Sequence, residues 1–192
     1  MNPTFDRLAL AIACLFLSAP MLRADDISDA LQAAQDAYAA NDLKTLGEQI
    51  LAADHALRAR QSDLLLAYLP EAPEGFTKTV NAEFSSGFAL FGGGSGVEAQ
   101  YTSDAATFTI DIYADNSMVS SMAQMFASTE MMAVMGMVET VGDTGLIVQD
   151  QTITGMAGTR VLLSAQGTDT AVMLPVLKTM DFAKLAEFDK VP

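Results

Sequence analysis

The feature that most constrains this chain's fold is a change in the spacing of its apolar residues at "LPEAPEG", residues 69–75. Upstream, Ile27, Leu31, Ala34 and Tyr38, then Leu43, Leu46, Ile50, Ala53 and Leu57, recur in steps of three and four. An α-helix turns once in about 3.6 residues, so that spacing puts each set on one helix face. Asn41 and Asp42, good turn and capping residues, fall between the two sets. The pattern predicts an antiparallel helical hairpin over residues 25–69, its second arm running toward "LLLAYL". The alanine spacing is that of one tetratricopeptide repeat, but no second copy follows, and one helix pair cannot build a solenoid groove. Two prolines, two glutamates and a glycine then end the helical region.

Downstream the period becomes two. "VNAEF" sets Val80, Ala82 and Phe84 on one side, and "VEAQY" does the same with Val97, Ala99 and Tyr101. "TFTIDIY" sets Phe108, Ile110 and Ile112 inward and Thr107, Thr109, Asp111 and Tyr113 outward. Alternation of this kind marks strands with one buried and one wet face, as in antiparallel sheets. "VETV", "LIVQ", "TITG" and "TRVLLSA" continue the series, with turn residues between them. Helical segments around residues 171–180 and 182–188 close it, with Pro175 in the first turn of a helix starting near Leu174. The expected fold class is α+β: a helical hairpin, then over residues 70–192 a mainly antiparallel sheet with helices packed on one face.

Residues 1–24 stand apart. Arg7 precedes the apolar run "LALAIACLFL", and Leu22 and Ala24 suit the positions before a cut ahead of Asp25. This predicts a secretory signal peptide and a periplasmic protein. The run is shorter than the roughly 20 apolar residues of a membrane span, and no later segment qualifies, so no transmembrane helix is expected in the mature chain. Cys14, the single cysteine, also fits a loose lipidation box, but too few apolar residues precede it. A chain cut at residue 24 carries no cysteine, which excludes disulfides, thiolate metal sites and thiol nucleophiles. It also carries 8 Lys and Arg against 23 Asp and Glu, from the 10 and 24 of the whole sequence less Arg7, Arg23 and Asp6. So acidic a surface repels nucleic acid, whose binding rests on Lys and Arg contacts.

The inventory for catalysis is thin. His55 is the single histidine, and its neighbour Asp54 diverges from it on a helix. No catalytic residue and no cofactor is expected. "FALFGGGSG" has the glycines of a phosphate loop but lacks the following Lys-Ser/Thr and the third glycine of a dinucleotide fingerprint. Its Phe88, Leu90 and Phe91 are candidates to contact a ligand or partner, as large apolar residues beside a glycine run. "DIYADNS" offers Asp111, Asp115 and Asn116 to calcium, but the spacing is not that of an EF-hand, and a helix cap explains it more simply.

The loudest chemical feature is "SMVSSMAQMFASTEMMAVMGM", seven methionines in residues 117–137. Met118, Met122, Met125 and Met132 form one stripe if a single helix continues, with Met131, Met135 and Met137 extending it toward an end near Gly136. Covered packing is the leading reading, since methionine fills irregular cores. An adaptable partner surface is the next. Soft thioethers also suit Cu(I), making Met118, Met122, Met125, Met131, Met132 and Met135 the candidate metal ligands of an alternative reading, although no His or Cys lies nearby.

The stretches "AQDAYAANDLKTLGEQILAADHALRARQSDLLLAYLPEAPEGF", "FGGGSGVEAQYT" and "IDIYADNSMVSSMAQMF" together resemble an uncharacterised family of exported proteobacterial proteins. The resemblance covers roughly residues 25–190 and departs at Phe76, where the family tends to have tryptophan, and at Asn116-Ser117, which replaces serine-proline. It implies a Mog1/PsbP-like α-β-α sandwich after the hairpin, a layout used mainly in binding and assembly modules. It implies no catalytic residue. The resulting expectation is a non-enzymatic periplasmic protein that binds an envelope protein or a small apolar ligand.

Overall fold

The structure is a computed structural model and describes residues 25–81, 84 and 93–190. The expected signal peptide, residues 1–24, and the contact candidates Phe88, Leu90 and Phe91 lie outside the described residues.

Two helices open the fold, α1 (Asp26–Ala39) and α2 (Leu43–Leu66). Asp25 caps α1 by accepting from the Ile27 amide, and Asp42 caps α2 by accepting from the Thr45 amide at 3.1 Å and hydroxyl at 2.7 Å. Asn41 makes the turn between them with a φ of 58°, a conformation asparagine tolerates better than most residues. The seam differs from expectation. Ala30, Ala34 and Ala37 of α1 and Ala53 of α2 are buried, whereas Leu31, Tyr38, Leu43, Ile50 and Leu57 are exposed. Alanines let the backbones approach closely, and the larger side chains on the same stripes are displaced to the flank. The last turns of α2 pack on the sheet, with Leu65 fully buried in the main core.

Seven strands follow: β1 (Thr77–Val80), β2 (Ser95–Thr102), β3 (Thr107–Ala114), β4 (Met137–Val141), β5 (Thr144–Gln149), β6 (Thr152–Ala157) and β7 (Val161–Gln166). They form one antiparallel sheet in the order β1-β2-β3-β7-β6-β5-β4. Two meanders, β1–β3 and β4–β7, meet where β3 pairs with β7. The two-residue loops β4–β5 and β5–β6 open on Gly142 and Asp150, with φ of 60° and 49°. Such positive values match the twist of the strands they join. The expected strand from Val80 to Phe84 is shifted: β1 ends at Val80, and Phe84 lies in a short 3₁₀ turn with its ring 5.6 Å from that of Tyr113.

The chain leaves β3 through α3 (Ser117–Phe126) and α4 (Thr129–Met135), crosses the sheet and re-enters at the far edge as β4. After β7 it returns through α5 (Thr170–Leu177) and α6 (Phe182–Leu185). Here Pro175 corrects the expected boundary. α5 starts at Thr170, capped by Asp169, and holds Pro175 inside it. The proline's missing amide leaves the carbonyl of exposed Ala171 to solvent.

The helices occupy both faces of the sheet, not one. On the first face α2, α5 and α6 bury Leu65, Met173, Leu177 and Leu185 against Val97, Ile110, Ile112 and Leu163. The proline segment is fastened to this side: the Tyr101 hydroxyl donates to the Pro70 carbonyl at 2.7 Å, and the Tyr101 ring stacks on Phe108 at 4.8 Å. On the second face α3 places Val119 against Met156 and Leu162. At one end of the sheet Arg160 makes two 2.7 Å bonds to Asp115 and another to Asp189, tying the C-terminal segment to the β3–α3 corner. The guanidinium holds the Asp189 carboxyl below its ordinary value. No helix among the described residues is long and apolar enough to cross a membrane.

Candidate functional site

The second face of the sheet carries the methionines of α3 and α4, while Met137 of β4, paired with Val148, points to the first face. Asn116 starts α3, its side chain accepting from the Met118 amide at 2.8 Å and the Val119 amide at 3.1 Å. The expected continuous stripe breaks at Ala127. Ser128 caps a second helix by accepting from the Met131 amide and donating its hydroxyl to Glu130 at 2.6 Å. Serine, threonine and glutamate in succession are a helix start, and here they restart one rather than continue it. Met118, Met122 and Met125 therefore share one side of α3, while Met131, Met132 and Met135 belong to α4.

Their environments differ. Met132 is buried, Met122, Met125 and Met135 are half-buried, and Met118, Met131 and Met137 are exposed. Val134, between them, is 88% exposed. Under α3 and α4, against β4, β5 and β6, runs a cleft of about 510 Å³ lined by Phe126, Met132, Val138 and Met156 with threonines 129, 140, 144 and 159. Met132 reaches across Gly145: a Cβ built on that glycine would stand 2.9 Å from the methionine Cε. The absent side chain on β5 is what lets the thioether lie flat on the sheet. Its lining is mixed: Phe126, Met132, Val138 and Met156 stand beside the four threonines and Asp143.

Beside α3 the same face holds an acidic pair that sequence reasoning missed. Glu98 of β2 and Asp111 of β3 are direct cross-strand partners. Asp111 was expected to point to water, yet it is 2% exposed. The Tyr113 hydroxyl donates to Asp111 Oδ2 at 3.3 Å, and Asn81 Nδ2 donates to Glu98 Oε1 at 2.8 Å. Asp111 Oδ1 is buried with no hydrogen bond of its own. Two ionised carboxylates only accept, so a bond between them requires a shared proton. Burial first, and then the neighbouring Glu98 charge, push the Asp111 carboxyl up to about 7. Burial and the same carboxylate raise the Tyr113 phenol. The signal for the pair was present: with both strands alternating and Thr102 opposite Thr107 across the hairpin, Glu98 must face Asp111.

Other candidates separate. Asp111, Asp115 and Asn116, grouped for calcium by sequence, do three jobs: a buried acid, an ion pair with Arg160, and a helix cap. Among the described residues no three His, Cys, Asp or Glu side chains come together in a metal-binding group. His55 is exposed on α2. The glycine run returns to β2 through Gly94, whose φ of 105° and whose approach to Ala114 and Asn116 leave no room for a Cβ. Its carbonyl accepts from Arg58 Nη1 at 3.3 Å, fixing that end of the run to α2.

No family model, curated protein or solved structure matches this chain.

Proposed function

We propose that this protein is a non-enzymatic binding or assembly protein of the periplasm, holding an apolar segment of an envelope protein or a small apolar ligand along α3 and α4. The observation that carries the reading is the methionine region itself: of its seven methionines only Met132 is buried, and it lines an open cleft, while Met118, Met131 and Met137 are exposed. Methionine side chains are flexible and polarizable, and they repack around differently shaped apolar partners at little cost. Asp143 and the four threonines, with no Lys or Arg among the lining residues, disfavour an anion in the cleft. The sheet between two helical layers agrees with a Mog1/PsbP-like sandwich, and "LALAIACLFL" with export to the periplasm.

Capture from envelope extract tests this, comparing wild type with Met118→Asp/Met131→Asp, both exposed on α3 and α4, and with Phe88→Ser/Phe91→Ser. Loss of the same partner in the methionine variant, with unchanged far-UV circular dichroism, is the expected result. Identical capture by all three proteins removes both the helix and the glycine loop from the function.

A second reading rests on α3 alone. Met118, Met122 and Met125 lie within about 60° of one another round the helix, and none is buried. Three thioethers on one side suit Cu(I). Anaerobic titration against a competing Cu(I) chelator decides it, and affinity no tighter than micromolar ends it.

A further inference from the structure

β1 and β4 are the two edges of the sheet, and β4 pairs only with β5. The β4–β5 hairpin closes on Val141 and Thr144 across a two-residue loop, so Val141, Glu139 and Met137 are the residues that exchange backbone bonds with β5. The next hairpin, closed by Gln149 and Thr152, has the same phase: odd residues of β5 bond to β6 and even ones to β4. The amides and carbonyls of Val138 and Thr140 therefore point away from the sheet, and no described residue bonds to them.

Chain length keeps the undescribed residues from this edge. Phe84 lies against Tyr113 of β3, and the Gly94 carbonyl is held by Arg58 beside the start of β2. Residues 85–92, tied at both ends, reach out and back no more than about 16 Å at about 3.5 Å per residue. β4 lies four strands from β3, about 19 Å at about 4.8 Å each. Residues 191–192 span about 7 Å, less than the three strands from β7, beside which Arg160 holds Asp189, to β4. Residues 1–24 are expected to leave on export.

The two edges are finished differently. β1 carries Lys78, and lysine is a common block to edge pairing. β4, "MVETV", has no lysine, proline or bulge. Its one charge, Glu139, is turned to the first face, where Lys178 lies 3.5 Å away. Apolar side chains flank the open ladder: Met137, 64% exposed, on the first face, and Val138 on the second, with exposed Met131 and Val134 on the helix that enters the strand.

We propose that an extended apolar segment of another protein adds to β4 as an eighth strand. The inference rests on the reading that the methionine region binds such a segment, and it states how the segment is held. Amides and carbonyls that recur at every second residue are satisfied together by an extended backbone, which a small apolar ligand lacks. The segment's side chains then alternate between Met137 on one face and Val138 on the other, which selects apolar residues at successive positions. A second copy fits poorly. The antiparallel register that pairs Val138 with Thr140 sets Glu139 directly opposite its own counterpart, a like-charge pair.

The test uses residues 25–192, which hold every described element. In amide exchange read by NMR, Val138 and Thr140 should exchange at least about 100-fold faster than Glu139. The binding probe is a synthetic peptide of seven alternating valines and threonines with a lysine at each end, in about 0.3 M salt to screen charge. It should bind with a dissociation constant below about 1 mM and slow exchange at both amides at least tenfold. The same peptide N-methylated throughout keeps the side chains, donates nothing, and should not bind. Thr140→Pro removes an outward amide and leaves the ladder to β5 intact; it should weaken binding at least tenfold, whereas Thr140→Val should not. Absent binding, equal binding of the methylated peptide or by Thr140→Pro, or a wild-type dimer that Thr140→Pro dissolves overturns the proposal. An envelope partner lost by Met118→Asp/Met131→Asp but kept by Thr140→Pro removes the eighth strand and leaves the helical site. The converse removes the helices and keeps the strand.

Discussion

The two faces of the sheet are built by opposite means. Against α2, α5 and α6 the strands present large aliphatic and aromatic side chains, and Ile110, Ile112, Leu163, Leu65 and Leu177 are fully excluded from water. Against α3 and α4 the described residues form a small buried cluster of Val119, Met156 and Leu162, beside an acid pair of buried Asp111 and half-buried Glu98 and an open cleft. The first face is organised to be dry, and it supplies the stability. The second is stable enough to be held in place by the first, and it is free to carry soft, polar and titratable groups.

That contrast is testable by paired substitutions. Ile110→Ala, on the dry face, should destabilise by about 2–5 kcal/mol, since it removes a filled core volume that the sheet cannot collapse. Chemical denaturation reads this directly, and a loss below about 1 kcal/mol would mean that the first face is not the foundation.

Asp111 gives the next largest effect, and its sign depends on pH. Its folded value near 7 stands above the ordinary 3.8, so folding takes up a proton. The contribution to stability is full below about pH 4 and is lost as the pH rises through about 7. At roughly 1.4 kcal/mol per pH unit, the shift sets a ceiling of about 4 kcal/mol on that loss. Asp111→Asn should therefore be more stable than wild type at pH 8, by about 1–3 kcal/mol, and close to it at pH 4. Equal stability at both pH values would show that the proton is not held there.

Arg160→Gln should cost about 1–2 kcal/mol, because two charge-assisted contacts are lost at a partly exposed site. This loss should shrink below pH 4, as Asp189, whose pKa is lowered by the guanidinium, takes up a proton. Met122→Ala, on the soft face, is expected to cost less than about 1.5 kcal/mol, because the side chain is only half-buried. A cost equal to that of Ile110→Ala would erase the distinction between the faces.

Much of the first face was legible from alternation alone. "VEAQY" and "TFTIDIY" bury the residues their period assigns, and the strands after residue 137 fall where their turn residues place them. The second face was less legible because its features depend on contacts distant in sequence. Asp111 occupies a position that alternation sends outward, and burial is imposed by cover that arrives from elsewhere in the chain. The methionine stripe was drawn through Ala127, where three capping residues in a row stop one helix and begin another. In the hairpin, spacing located both helices, but alanine and leucine recur together, and spacing does not say which of them the partner helix accepts. Pro175 was placed at a helix start by its own preference, which five preceding residues with a good cap overrode.

The Arg160 clamp and α6 also fix when the fold can be finished. Phe182, Leu185 and Phe188 complete the main core, and Asp189 completes the clamp on a corner formed far earlier in the sequence. A growing chain that has released only its first 180 residues has every strand and an unclosed interior. The interior is therefore closed only when residues far apart in the sequence come together.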